Sequence, residues 1–461
     1  MAEVADESVC PTLPPKDSQA SGAGAFACQP IFHMNSTSTL SELRARGMIE
    51  QVTSEEALEG LLNAGGATIY VGFDPTADSL HVGHMLPILL LARLQRCGHT
   101  PIVLVGGATG MIGDPSGRSS ERQLLTPDMV AANVEAIRPQ LSKFVSFEGP
   151  NAAIVVDNGD WTRPMGYLEW LRTVGKHFTV NYMAAKESVR RRLEDREQGI
   201  SYTEFSYMLI QANDFLHLFD HHGCTIQAGG SDQWGNITAG IDLVRKARGA
   251  EVYGMTLPLL TTSGGEKFGK SAGNAIWLDP RRTTPYQFYQ FWMQTDDRDV
   301  ERYLKLFSFE SLETIAEAIE AHAGHPERRE AQKLLAARVT AMVHGQGTLE
   351  DAVRASEALF SKELSALSDE ELAAVFCDVP SVTLERSALA AGPRLSQILV
   401  QAGACGSRGE ANRLIQGGGV YLNNRRTAAD HALSEADLAS KSMLVLRTGK
   451  KSYYLVRFSQ D

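Results

Sequence analysis

The stretch TIYVGFD at 68–74, with Ile69, Tyr70, Val71 and Phe73, reads as a strand. HVGHMLPILLLARLQRCG at 81–98 continues the apolar character over helical length and stops at a glycine, and PIVLVGGA at 101–108 reads as a second strand. The three lengths predict one βαβ unit with parallel strands and a right-handed crossover. AIVVDNGDW, CTIQAGG and TLPLLTT supply further strands, and TEFSYMLIQANDFLHLF at 203–219 carries apolar residues at helical spacing between them. The pattern predicts a doubly wound parallel-sheet α/β domain, Rossmann-like, over 39–280.

Beyond Pro285 the period changes. Segments such as REAQKLLAARVTAMVHG give amphipathic helices with almost no strand signal, so 281–380 reads as an α-helical domain. VPSVTLERSALAAGP reads as a loop, with 381–391 as a linker. The last part, 392–461, predicts a small α+β domain: helix, Gly-rich turn, helix and strand, then a hairpin in MLVLRTGKKSYYLVRF. Residues 1–38 are rich in Ser, Ala, Pro and Gly without apolar period and read as a disordered extension. They carry Glu3, Asp6, Glu7 and Asp17 but no Arg, unlike an organellar transit peptide, and Met34 is an alternative start.

Composition narrows the function classes. The longest apolar stretch, MLPILLLARL, meets Arg93 after eight residues and is too short to span a bilayer. Six scattered cysteines without a C-x-x-C pair argue for a reducing compartment and against a disulfide framework or zinc site. The net charge of −11 hides an asymmetry: 392–461 holds ten Lys or Arg against five Asp or Glu, so it is +5 and the rest −16. A basic tail on an acidic body points to nucleic acid. Arg408, Arg413, Arg425, Arg426, Lys450 and Lys451 are the candidates for RNA phosphates, with Tyr421 and Tyr453 for base stacking.

Three places carry candidate chemistry. GFDPTADSLHVGH at 72–84 is the first βα turn, at the sheet edge where doubly wound folds bind ligands, and it lacks G-x-G-x-x-G. His81 and His84 stand there beside Thr76 and Gly83, able to donate to phosphate oxygens; capping histidines and a metal pair have the same spacing. Tyr207, Gln211 and Asp214 fall at i, i+4 and i+7, one face of one helix. GGEKFGKS at 264–271 fits the phosphate-loop pattern, yet SAGNAIWLDPRRTTP after it lacks the helix that such a loop must enter.

The same residues carry a resemblance. HVGH and KFGKS resemble the HIGH and KMSKS signatures of class I aminoacyl-tRNA synthetases, in the right order. YVGFDPTADSLHVGH, GGATGMIGDPSG, GKHFTVNYM, TEFSYMLIQANDF and GGSDQWGNITAG resemble the bacterial-type tyrosyl-tRNA synthetases from about residue 39 onward, and the tail resembles their S4-like RNA-binding domain. Val82, Phe268 and Gly269 depart from the signatures but leave both lysines and the hydroxyl in place.

The resemblance implies that the helical domain lies on the anticodon side. It implies that Lys267, Lys270 and Ser271 form a clamp on ATP phosphates, opposite Thr76, His81 and His84, with Arg118 and Arg122 approaching pyrophosphate. Tyr70 and Asp214 would read the tyrosine hydroxyl; Tyr207, Gln211 and Asp114 the ammonium; and Gln233 the carboxylate. Asp74 and Asp232 would meet the ammonium or ribose hydroxyls, and Gly72 and Gly83 would let the nucleotide approach the backbone. The implied substrates are tyrosine, ATP with Mg²⁺ and the tRNA for tyrosine, in a cytoplasmic homodimer without a tightly bound protein metal. The rivals are a tryptophanyl-type synthetase, a P-loop nucleotidase and a non-catalytic RNA-binding protein.

Overall fold

The computed structural model describes residues 38–116, 125–194, 199–265, 268–271, 274–364 except 361–363, 367–377, 379–449 and 452–459. The extension 1–37, Arg118, Arg122, Lys267, Lys450 and Lys451 lie outside these residues, and Lys270 and Ser271 are described by backbone alone.

The first sheet has six strands: β1 (Gln51–Val52), β2 (Thr68–Phe73), β3 (Thr100–Val105), β4 (Ile154–Asp157), β5 (Cys224–Gly230) and β6 (Tyr253–Leu257). Their spatial order is β1-β6-β5-β2-β3-β4, with only β1 antiparallel. From β2 the chain moves through β3 to β4, then returns to β5 on the other side of β2. The winding therefore reverses between β2 and β5, which opens a crevice at their carboxyl ends. β6 stops earlier than the apolar run TLPLLTT suggests, because Pro258 has no N–H to donate to a ladder.

Two helices send side chains into this crevice. Val82–Arg96 follows β2 and buries Met85, Leu86 and the run Ile88–Leu91 under the sheet. Tyr202–His222 starts at Ser201, whose hydroxyl accepts from the Glu204 N–H, and ends at Gly223 with φ 60°. Around the phosphate-loop-like stretch the described residues form β7 (Lys270–Ser271) and β8 (Asn274–Ala275), a short antiparallel pair, so the lysine does not lead into a helix.

The helical region, from Pro285–Met293 through Gln346–Phe360, shares one continuous core with the α/β domain that runs from Leu40 to Ala352. The C-terminal sheet has the order β11-β10-β12-β13-β9, from β9 (Ser381–Glu385), β10 (Val420–Leu422), β11 (Arg425–Thr427), β12 (Met443–Thr448) and β13 (Ser452–Ser459). The helices Leu395–Gln401 and Arg408–Gln416 and the hairpin match the reading of the tail. The segment read as a loop does not. Residues 381–385 form β9, parallel to β13, and Arg386–Ala390 is a short helix. Val382 and Leu384 alternate inward against the domain core, a period too short to stand out without its distant partner.

Candidate active site

The crevice between β2 and β5 holds a cavity of about 240 Å³. Tyr70 rises into it from β2, and Asp74 follows at the strand's end. Tyr207, Gln211 and Asp214 enter from one face of the long helix, and Asp232 and Gln233 from the turn after β5. Asp114, Thr109 and Ser116 close one side, and His84 stands at the helix start. The i, i+4, i+7 spacing thus faces the cavity rather than solvent.

At one end Tyr70 is 1% exposed, packed edge-on to Phe215, and its hydroxyl has no hydrogen-bond partner among the described residues. Burial raises its pKa, with the nearby Asp214 carboxylate adding to the effect. Asp214 is itself buried and is held by Asn158 Nδ2, donating to Oδ2 at 2.9 Å, and by Trp161 Nε1, donating to Oδ1 at 2.9 Å. Burial pushes its pKa up to about 7; the two donors work against this, and Asp74 and Asp157 add to it. A buried hydroxyl lacking a partner costs about 1–3 kcal/mol. The end of this cavity is therefore built for a ligand group that both donates and accepts.

A second polar set lies beside it. Asp74 accepts from Thr109 Oγ1 at 2.8 Å and from Tyr207 OH at 3.0 Å. Gly106 is required here, since a Cβ would overlap both the Asp74 carboxylate and the Thr109 hydroxyl. Asp114 accepts from Gln233 Nε2 at 2.6 Å, and Gln233 Oε1 accepts from Gln211 Nε2 at 3.2 Å and from Asn236 Nδ2 at 3.1 Å. Two carboxylates and three side-chain amides on this scale suit an α-ammonium and a carboxylate.

His81 caps the helix Val82–Arg96: its Nδ1 accepts from the Gly83 N–H at 3.0 Å, while His84 Nδ1 accepts from the His81 N–H at 3.1 Å. The two rings stack with centroids 3.9 Å apart. Both rings thus stand at a helix N-terminus, which favours anionic groups. Thr76, Gly72 and Gly83 are exposed near this turn. Residues 276–278 run alongside, with the Val82 N–H donating to Ile276 O at 2.9 Å and the Leu278 N–H to Leu80 O at 2.8 Å. Since the Ile276 N–H in turn donates to Gly269 O at 3.0 Å, the second signature is linked to the first through Ile276.

Residues 63–361 match the family model described as tRNA synthetases class I (W and Y), and 371–456 match that of the tyrosine–tRNA ligase SYY-like C-terminal domain. A tyrosine–tRNA ligase of Roseiflexus castenholzii is 51% identical over 424 residues, covering 91% of this chain and 99% of that one. Tyrosine–tRNA ligase 1 of Bacillus cereus is 50% identical over 422 residues, with the same coverage. The chain belongs to the tyrosine–tRNA ligase family. Among solved structures, a C-terminally truncated mitochondrial tyrosyl-tRNA synthetase of Aspergillus nidulans is 33% identical, with a TM-score of 0.63, over 70% of this chain and 94% of that one.

For a tyrosine–tRNA ligase, sequence reasoning missed three residues that hold cavity carboxylates: Asn158 and Trp161, behind Asp214, and Thr109, which lines the cavity and bonds Asp74. DNGDW directly after a strand at the ligand edge of the sheet was the available signal for the first two. In the tail, Arg408, Arg413, Arg425 and Arg426 are all exposed, and the Arg426 Nε also donates to Gly418 O at 2.8 Å. Arg447 lies 3.8 Å over the Tyr421 ring, and Tyr453 packs on Phe376 at 5.3 Å, so both tyrosines have protein against a ring face.

The carboxylate at about 7 gives a pH prediction. If the tyrosine phenol donates to Asp214, binding selects the ionised form. Affinity for tyrosine should then fall on acidification from pH 8 to 6, approaching about tenfold per pH unit below the pKa. Equilibrium binding across that range checks it, and a flat dissociation constant contradicts it.

Proposed function

We propose that this tyrosine–tRNA ligase reads the phenol with Tyr70 and Asp214 and binds the ammonium with Tyr207, Gln211, Asp114 and Asp74. Gln233 then orients the carboxylate. The observation that carries this reading is the buried Tyr70 hydroxyl, without a partner among the described residues, sharing one cavity with the buried Asp214 carboxylate. Phenylalanine would leave the Tyr70 hydroxyl unmatched, at about 1–3 kcal/mol, and Asp214 with only its two protein donors, and an indole would present its N–H from a wider frame.

The activation step needs no base for the nucleophile. The tyrosine carboxylate oxygen bonds to the α-phosphorus of ATP, the bond from that phosphorus to the bridging oxygen breaks, and pyrophosphate leaves with the electron pair. The protein's work is alignment and stabilisation of charge on the departing group. Thr76, His81 and His84 serve from one side and Lys267, Lys270 and Ser271 from the other, with Arg118 and Arg122 at pyrophosphate. Asp232 and the open backbone at Gly72 and Gly83 serve the nucleoside. Mg²⁺ arrives with ATP, held by phosphates and water. No group of three His, Cys, Asp or Glu suited to a metal occurs among the described residues. The adenylate then passes its tyrosyl group to the terminal ribose of the tRNA, with Arg408, Arg413, Arg425, Lys450 and Lys451 on the RNA backbone.

The units at 39–280, 281–380 and 392–461 are proposed to divide this work into activation, anticodon-side contact and RNA binding. β9 makes 381–391 part of the last. We assign the enzyme to the cytoplasm by its family. We also propose a homodimer. Tyr167, Leu168 and Leu171 on one helix, with Val180 and Tyr202, are exposed large apolar residues, and the Tyr167 and Tyr202 hydroxyls are 3.4 Å apart. Such a face is suited to a second copy. Amino-acid-dependent ATP–pyrophosphate exchange tests the reading: tyrosine should drive it, while phenylalanine and tryptophan stay nearly inert. The same preparation should sediment at twice the mass of one chain. Equal exchange with phenylalanine would overturn the role of Asp214.

A further inference from the structure

The signature stretch contains one large apolar side chain in 263–275, Phe268, among glycines, serines and charges. It is 7% exposed. Its ring meets four others on two helices of the helical region, Pro285–Met293 and Val300–Phe307. It lies edge-on to Phe291 at 5.8 Å, tilted to Trp292 at 5.8 Å, edge-on to Tyr303 at 4.9 Å and stacked on Phe307 at 5.2 Å. The Phe268 N–H also donates to Leu260 O at 3.1 Å.

The next residue presses the other way. Gly269 has φ +85°, and a Cβ there would come within 2.8 Å of Val82 Cγ2 and 3.6 Å of the Gly83 nitrogen. Gly269 O accepts from the Ile276 N–H at 3.0 Å, and Ile276 O accepts from Val82. Residues 268 and 269 are thus wedged between an aromatic box of the helical region and the first turn that carries His81 and His84. Lys270 follows directly.

We infer that Phe268 is a positioning residue for adenylate formation: seated in the box of Phe291, Trp292, Tyr303 and Phe307, it fixes the backbone of Lys270 relative to His81 and His84. The helical region thereby takes part in amino-acid activation, although none of these aromatics lines the tyrosine cavity. The inference rests on the reading of Lys270 as a phosphate ligand. A purely structural Phe268 would alter stability and leave the chemical step independent of Lys270; a positioning Phe268 acts through it.

Single-turnover adenylate formation by the full chain, with Phe268→Ala, Phe268→Met, Lys270→Ala and the Phe268→Ala/Lys270→Ala double variant, separates these. Phe268→Ala should lower the maximal rate tenfold or more, an order-of-magnitude expectation for a displaced electrostatic donor, while the tyrosine dissociation constant stays within about twofold. Phe268→Met should recover most of the rate, because an unbranched thioether fills the box and contacts the rings. The double variant should be no slower than Lys270→Ala alone, since coupled residues are non-additive. Should Phe268→Ala not fold, Phe268→Leu enters the same cycle. A full rate in the Phe268 variant, or losses that multiply in the double variant, overturns the inference while leaving Lys270 in place. An unchanged Lys270→Ala rate overturns the Lys270 reading first, and this one with it.

Discussion

Lys270→Ala should slow the maximal rate of tyrosyl-adenylate formation by about two orders of magnitude while leaving tyrosine binding nearly untouched. Removing one preorganised donor to charge that develops in the transition state costs roughly 3 kcal/mol, which is that factor in rate. ATP affinity should change less, because interactions realised mainly in the transition state contribute little to the ground-state complex. A phosphate-loop lysine behaves differently, since it already holds the phosphates in the resting complex. The local fold favours the first behaviour: the backbone at Lys270 belongs to the short β7–β8 pair rather than to a loop entering a helix. Single-turnover measurements at several ATP concentrations separate rate from affinity. A loss confined to ATP affinity would restore the phosphate-loop reading of GGEKFGKS.

Removing the C-terminal module should abolish charging of tRNA while sparing activation. The structure moves the proper cut from residue 392 to the segment before β9, because a shorter deletion would leave Ser381–Glu385 without its partner strand. The cavity and both signatures lie before residue 280, so pyrophosphate exchange should persist within a few-fold. Transfer should fall by orders of magnitude, and residual RNA binding should show a shallower dependence on salt as phosphate contacts are lost. The deletion also uncovers Leu372 and Phe376, which pack against Met443, Val445 and Leu455, so some loss of solubility is expected. Normal charging by a truncated protein that still activates tyrosine would remove RNA binding from the module.

Local periodicity made much of this legible. Buried parallel strands are mainly apolar, so TIYVGFD and PIVLVGGA stood out, and the one-face spacing of Tyr207, Gln211 and Asp214 survived into the cavity. The family signatures supplied the roles that periodicity could not. What stayed hidden needs pairing across the chain. Asn158 and Trp161 reach Asp214 across more than fifty positions, and nothing local in DNGDW names that partner. β9 alternates only as Val382 and Leu384, and its ladder is set by β13 far downstream. Phe268 looked like a departure from a signature because its box is built by helices that follow it.

The parallel pairing of β9 with β13 also has a consequence for how the protein is made. The α/β and helical regions share a core that is complete by Ala352, so they can assemble while later residues are still being synthesised. β9 emerges soon afterwards but cannot join its sheet until β13 has been translated, after the three helices of the module and the strands β10, β11 and β12. During that interval Phe376 and Leu372, whose cover comes partly from β12 and β13, face the solvent on the nascent chain. The stretch joining body to tail is thus where chaperones and proteases have their best opportunity, and the pace of translation through the tail sets how long it lasts.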